Sequence, residues 1–194
     1  MKGIVMNLLA EMVESQLGMK EWNRVIESAG LDGVYTSSEL YEDTELFGLV
    51  AIISERNGIP ADDLVFAFGK FMLPGFIARY PYLLADVDGF LAFLESIDSV
   101  IHVEVKKLHP DATTPVFHHI RLSENELQLQ YNSERRLCRL AEGLVAGAAE
   151  HYNAHYSLTH EPCMHRGGDH CGFLIKVEPS AKDLAHSATG AIDE

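Results

Sequence analysis

The stretch Tyr131-Asn132-Ser133-Glu134-Arg135 lies where the chain leaves a predicted strand and enters a predicted helix. In extended backbone, Tyr131, Ser133 and Arg135 share one face. A phenol, a hydroxyl and a guanidinium on one face supply several donors and a fixed positive charge, which suits carboxylates or phosphates. A purely structural interpretation also fits, with Ser133 capping the helix, Arg135 solvated and Tyr131 packed in the core. Spacing alone leaves both interpretations open.

Strand patterns flank this stretch. Apolar and polar residues alternate over 116–122 and 127–131, and Ser123-Glu124-Asn125 provides a hairpin turn between them. The pattern returns to helical spacing over 135–152, and residues 156–158 and 173–177 are typical of two further strands. We therefore expect an antiparallel sheet of about four strands with one long helix packed on it.

The first 80 residues have only helical patterns, with Pro74 and Gly75 expected to kink or split the last helix. The acidic run over 39–45 has no partner pattern and is expected to be a solvated face. Residues 86–108 form a long segment in which Asp98 and His102 share a face with several leucines and valines. Helices followed by an antiparallel sheet predict an α+β fold.

Length and composition narrow the class of protein. The chain has 194 residues, 47% of them hydrophobic, which indicates one compact domain. Its net charge of −14 argues against nucleic-acid binding. No signal peptide or membrane-spanning stretch is recognised, so we expect a cytoplasmic protein without membrane partners. Residues 179–194 are small and polar, and we expect them to be disordered.

His102 is a candidate metal ligand. A histidine on an apolar helix face is more often a hydrogen-bonded core residue than a ligand. Neutral imidazole is nevertheless a common axial ligand of haem iron, and a helix rich in leucine and valine makes a suitable wall for a porphyrin. The pattern alone does not decide between the two.

All three cysteines of the chain fall into one candidate metal site. His160-x-x-Cys163 has the spacing at which two side chains converge on a tetrahedral ion, and Cys138 and Cys171 complete a closed four-ligand zinc site. His165 and His170 are rival ligands, but their side chains are expected to diverge from the cysteines beside them. The alternative is three reduced cysteines beside a histidine-rich loop.

Several motifs together resemble the H-NOX family, the haem nitric oxide/oxygen binding domains related to the haem domain of soluble guanylate cyclase. They are the start Met1-Lys2-Gly3-Ile4-Val5, the segment Ile101-His102-Val103-Glu104-Val105, Pro115, and Tyr131-x-Ser133-x-Arg135. The resemblance covers residues 1–178, with a helical subdomain over 1–80 and a proximal helix and sheet over 81–178. It is strongest to stand-alone bacterial nitric oxide sensors that carry a zinc site.

The resemblance implies a role for each of these residues. His102 would be the axial ligand to the iron of haem b, Tyr131, Ser133 and Arg135 would hold the propionates, and Pro115 would distort the porphyrin. The zinc ligands of these relatives correspond to Cys138, His160, Cys163 and Cys171. Seven apolar residues would line the haem pocket: Val5, Leu9, Met72, Leu73, Phe76, Leu140 and Leu144.

Leu140 bears on ligand choice. Oxygen-binding members of the family have a tyrosine at the position of Leu140, and its hydroxyl donates to bound O2. An apolar wall favours nitric oxide, which needs less help from a donor. The resemblance therefore implies binding of nitric oxide and CO, with poor binding of O2.

The resemblance also implies a signalling role. Because only a short tail follows the last predicted strand, we expect the output to act in trans. The partner would be a histidine kinase or a diguanylate cyclase, in a two-component or cyclic-di-GMP pathway that controls biofilm or quorum-sensing behaviour. The alternatives are a haem enzyme, for which we find no distal acid/base pair, a haem carrier, and a thiol/zinc redox sensor.

Overall fold

Helices make up the N-terminal part of the molecule in the computed structural model, which describes residues 1–84, 87–108 and 110–178. The tail predicted over 179–194 lies outside the described residues. Four helices come first, and they are α1 (Gly3–Gln16), α2 (Met19–Ala29), α3 (Asp43–Asn57) and α4 (Ala61–Arg79).

Helix α4 runs through Pro74 without a break, so of the expected kink or split the split does not occur. A proline has no N–H, and Pro74 therefore leaves the carbonyl of Lys70 without its usual helical donor. Gly147 packs closely against that carbonyl, because a Cβ added to Gly147 would lie 2.8 Å from Lys70 O. Close packing of a second helix against this turn supports α4 where the hydrogen bond is missing.

The segment expected to form one long element over 86–108 is divided in the structure. A 3-10 turn (Pro81–Leu84) precedes α5 (Phe90–Ser96), a π-helical turn (Ile97–Ile101) and α6 (His102–Leu108). Single π-helical turns inside α-helices are rare and frequent at functional sites. Here the π turn ends directly before His102.

The sheet confirms the predicted α+β architecture. Its strands are β1 (Val116–Ser123), β2 (Glu126–Asn132), β3 (Tyr156–His160) and β4 (Cys171–Val177), in the order β1-β2-β4-β3 with every neighbouring pair antiparallel. Tyr131 of β2 pairs with Phe117 on one side and Cys171 on the other. The register therefore places Tyr131 beside one of the cysteines.

Helix α7 (Cys138–His151) joins the two halves of the core. One apolar cluster gathers α1 to α4, and a second gathers α5, α7 and the sheet, while Leu144 packs against both. Backbones of α4 and α7 approach closely, since a Cβ on Gly143 would lie 2.1 Å from Phe66 O and one on Gly69 would lie 2.3 Å from Leu140 O. Glycine at both positions permits this contact.

Candidate functional site

A cavity of about 320 Å³ lies between the helices and the sheet, a size typical of small-molecule and cofactor sites. Ten of the twelve residues that the resemblance assigns to a haem site line it: Val5, Leu73, Phe76, His102, Pro115, Tyr131, Ser133, Arg135, Leu140 and Leu144. Leu9 and Met72 are not among its lining residues and lie buried in the cluster formed by α1 to α4. Residues far apart in the chain thus meet at one apolar space.

Much of the cavity wall escaped prediction from the sequence. It includes side chains of α5, the π turn and β1, among them Phe93, Leu94, Ile97, Ile101 and Phe117. Their apolar character predicts burial but not which core they face. The buried Lys2 also lines the cavity, where its Nζ donates to Ser38 O and to Asp111 Oδ1, each at 2.7 Å.

His102 is held at the cavity wall by Asp98 of the π-helical turn that precedes it. Its Nδ1 lies 3.3 Å from Asp98 Oδ1, and the same carboxylate oxygen accepts from the backbone N–H of Phe117 at 3.4 Å. Burial lowers the pKa of His102 below the usual histidine value, although Asp98 acts in the opposite direction. The lowered pKa favours the neutral imidazole, and because Nδ1 faces Asp98, Nε2 is the ring nitrogen that could bind a metal.

Tyr131 is packed and hydrogen-bonded. Its ring lies 5.3 Å from that of Phe117 and 6.3 Å from that of Phe173, measured between centroids. Its hydroxyl accepts from the backbone N–H of Leu137 at 3.0 Å, immediately before α7. Ser133 Oγ accepts from Arg135 N at 3.3 Å, so Ser133 orders the connecting loop and makes no cap to α7.

Arg135 is not solvated. Its Nε donates to Asp43 Oδ2 at 2.6 Å and its Nη1 donates to Thr113 O at 2.8 Å, while the side chain is 19% exposed. Burial alone would raise the pKa of Asp43, but hydrogen bonds from the N-terminal ammonium and from Arg135 outweigh it and hold that pKa below its usual value. The acidic run over 39–45 is thus not simply a solvated face.

Cys138, His160, Cys163 and Cys171 converge as their spacing predicts. Their ligand atoms all lie within 4.8 Å of one another, and Cys163 Sγ is 3.9 Å from Cys171 Sγ. Sulfurs at about 2.3 Å from a tetrahedral zinc would be about 3.8 Å apart. The donor set and its spacing therefore fit a structural zinc ion.

The rival ligands point elsewhere. His165 Nε2 lies 2.7 Å from Arg136 O, and His170 Nδ1 lies 2.5 Å from Asp169 Oδ1. His160, in contrast, has its Nε2 buried and without a hydrogen-bond partner in the part of the chain that the structure describes. An orphaned ring nitrogen beside three thiols is what a site built for a metal presents.

Burial also raises the pKa of two of the clustered thiols above the usual cysteine value. Burial and the neighbouring Cys171 and Cys163 raise the pKa of Cys138 to about 12. Burial raises the pKa of Cys171 as well. Three clustered thiolates therefore need a cation, and metal binding would release protons from the cluster.

A comparison with protein-family models identifies the family of this chain. The model described as haem-NO-binding matches residues 2–160. The chain belongs to this H-NOX family. The residues of the H-NOX cavity fit a haem, because a neutral imidazole suits the iron, an apolar wall suits the porphyrin, and a cation with neighbouring hydroxyls suits the propionates.

Solved H-NOX structures share this fold. An H-NOX protein from Shewanella oneidensis in the Fe(II)NO state is 39% identical, with a TM-score of 0.87 over 92% of this chain and 99% of that one. The Fe(II)CO form of an H-NOX domain from that organism has a TM-score of 0.86 at 39% identity, covering 93% and 100% of the two chains. Unliganded Fe(II) H-NOX from K. algicida is 30% identical, with a TM-score of 0.85 over 93% and 98%.

The search of curated proteins returned no match. Among the described residues, no helix combines the length and the apolar character needed to cross a membrane.

Proposed function

We propose that this chain is a haem-based gas sensor that binds nitric oxide and CO at ferrous haem b. The observation that carries the proposal is the position of the His102 imidazole, which lines a largely apolar cavity and has its Nδ1 3.3 Å from Asp98 Oδ1. H-NOX relatives that are 39% identical are described in Fe(II)NO and Fe(II)CO states. Ferrous haem supplies an open coordination position for a diatomic gas.

His102 would be the axial ligand, and Tyr131, Ser133 and Arg135 would hold the propionates. Arg135 supplies the compensating charge, and its pairing with Asp43 fixes the guanidinium near the cavity. Pro115 would press on the porphyrin, and Val5, Leu73, Phe76, Leu140 and Leu144 would exclude water from it. Leu9 and Met72 would support this wall from behind.

Leu140 supports discrimination against O2. Its side chain lines the cavity and offers no hydrogen-bond donor. Bound O2 carries partial negative charge and gains from a donor, whereas ferrous nitric oxide complexes need one much less. We therefore propose that O2 binds poorly.

The π turn before His102 provides a route for signalling. Asp98 contacts both His102 and the backbone of β1, so a change at the His102 ring reaches the sheet as well as α5 and α6. Two arrangements of α6 that ligand binding biases would form a two-state switch. We propose that a separate histidine kinase or diguanylate cyclase reads this switch and that the chain itself is a sensor and not an enzyme.

Zinc would occupy the four-ligand cluster and stabilise the end of β3, the loop that follows it, the start of β4 and the start of α7. Closed sites of this composition are structural because no coordination position remains open. The observation that supports the assignment is the convergence of all three cysteines with His160.

The absorption spectrum of the purified ferrous protein, with and without nitric oxide, tests the haem proposal. We expect co-purified haem, a shift of the Soret band on adding nitric oxide, and loss of haem in His102→Gly unless free imidazole is supplied. Haem that stays unchanged in His102→Gly would refute the role of His102. Turnover of a chromogenic peroxidase substrate, or rapid transfer of haem to apomyoglobin, would instead indicate an enzyme or a carrier.

A further inference from the structure

Glu142 is a buried carboxylate that the proposed gas-sensing site does not use. It lies on α7 with its side chain 9% exposed. Its Oε1 is 2.5 Å from His160 Nδ1, and its Oε2 accepts from Arg139. A buried carboxylate is costly unless it is paired, and Glu142 is paired on both sides.

The contact with Glu142 sets which nitrogen of His160 can bind a metal. A carboxylate accepts a hydrogen bond, so Nδ1 carries the proton and Nε2 keeps its lone pair. Nε2 is the buried nitrogen without a hydrogen-bond partner in the described chain. Carboxylates that hold histidine ligands in this way fix the ring and raise its basicity.

Helix α7 supplies two parts of the metal centre. Cys138 begins the helix, and Glu142 follows four residues later, so both project from the same face one turn apart. The ring of His160 also packs edge-on against Phe173 of β4, with centroids 4.7 Å apart. The ring of His160, at the end of β3, is therefore held between Glu142 of α7 and Phe173 of β4.

Arg139 extends this arrangement to α4. Its guanidinium lies 5.0 Å from the centroid of the Phe66 ring and 3.9 Å from Asp63 Oδ1, and both partners belong to α4. The backbones of the two helices touch at the same level, where Gly143 faces Phe66 O. A continuous series of contacts thus runs from His160 through Glu142 and Arg139 to α4.

We propose that Glu142 positions His160 for metal binding and, through Arg139, ties the metal centre to α4. This rests on the zinc centre proposed above. Because α4 and α7 also form part of the cavity wall, metal occupancy then stabilises the helix pair that faces the haem site.

Zinc affinity of the haem-loaded protein tests the positioning role. Zinc is removed with a chelator and returned in competition with a chromophoric zinc indicator. We expect Glu142→Gln to weaken zinc binding about tenfold and Glu142→Ala about 100-fold. The control Glu150→Gln changes an exposed carboxylate of the same helix, paired with Lys70, and should bind zinc like the unmodified protein.

A spectroscopic readout separates positioning from general destabilisation. In the zinc-loaded protein, ¹⁵N NMR should show His160 with a protonated Nδ1 and a metal-bound Nε2. Glu142→Asp keeps the negative charge on a side chain that is one methylene shorter. It should therefore weaken zinc binding less than Glu142→Ala does. It replaces Glu142→Ala in the experiment if that variant does not fold. Retention of the haem spectrum confirms folding.

The outcomes are distinguishable. Zinc binding by Glu142→Gln within twofold of the unmodified protein would overturn the positioning role and leave the zinc centre intact. An unmodified protein that holds haem but takes up no zinc would overturn the zinc centre and this proposal together. Removal of zinc should also speed the exchange of backbone amide hydrogens over residues 63–70 of α4, while exchange in α2, the control, should not change. Equal exchange over residues 63–70 with and without zinc would overturn the link to α4.

Discussion

Arg135 Nε donates to Asp43 Oδ2 at 2.6 Å, across 92 positions of sequence, and joins the loop after β2 to the first turn of α3. The N-terminal ammonium donates to the other oxygen of the same carboxylate at 2.8 Å. One carboxylate thus ties the helical part of the chain to the residues proposed to hold the propionates. Its loss should affect both stability and haem retention.

Asp43→Asn should lower the free energy of unfolding by about 1–3 kcal/mol at pH 7, because a charged hydrogen-bonded pair is broken. The pKa of Asp43 is lowered in the folded state, so its contribution is complete above the unfolded value of about 3.9 and is lost as the pH falls through the folded value. Urea unfolding at several pH values measures this. The difference between variant and unmodified protein should shrink below about pH 4.

Glu55→Gln provides the control for Asp43→Asn, since Glu55 lies on an exposed face of the same helix. It should change stability by no more than about 0.5 kcal/mol at any pH. A pH-independent loss in Asp43→Asn would contradict the ionic origin of its effect.

Leu140→Tyr should give the ferrous protein a persistent O2 complex. A phenol at the cavity wall donates to the bound gas, and a hydrogen bond of about 1 kcal/mol raises affinity several-fold. The matched variant Leu140→Phe adds the ring without the hydroxyl and should behave like the unmodified protein. Absorption spectra of the ferrous variants after exposure to air show whether an O2 complex forms. A stable O2 complex in Leu140→Phe would show that the hydroxyl is not responsible.

Asp98→Ala should weaken the proposed bond between His102 and the haem iron. A carboxylate that accepts from Nδ1 raises the basicity of the ring, so its removal should lower the iron–histidine stretching frequency and speed haem loss. Resonance Raman spectra of the ferrous protein measure the first effect. Glu104→Ala, which removes a carboxylate of α6 paired with Lys107, should leave the frequency unchanged.

Gly143→Ala should destabilise the protein by about 1–3 kcal/mol, because the added methyl group meets Phe66 O and forces α4 and α7 apart. Gly48→Ala is the opposite case, since the Cβ of Gly48 in α3 meets nothing within 4 Å. It should stabilise the helix by up to about 1 kcal/mol. Denaturant unfolding of both variants compares them, and a neutral Gly143→Ala would contradict the close helix contact.

The pattern of residues along the chain predicted most elements, because helix and strand periodicity are local properties. The alternation of apolar and polar residues over β1 predicted the strand but not which of its two faces is buried. Val116, Ile120 and Leu122 are exposed on this edge strand, whereas Phe117 between them lines the cavity. Which face of a strand is buried depends on what packs against it.

The candidate zinc ligands Cys138, His160, Cys163 and Cys171 could be named in advance because the chain has only three cysteines and His160 lies close to Cys163 in the sequence. The ligand role of His102 could be named only through the resemblance to the H-NOX family. The residues that hold these ligands in place could not be named in advance, because acidic residues are common and nothing in the sequence distinguishes the ones that form buried contacts. Only packing brought Asp43 to Arg135 and Glu142 between His160 and Arg139. Periodicity acts over a few residues, whereas the pairing of buried charges depends on which elements of a folded chain come into contact.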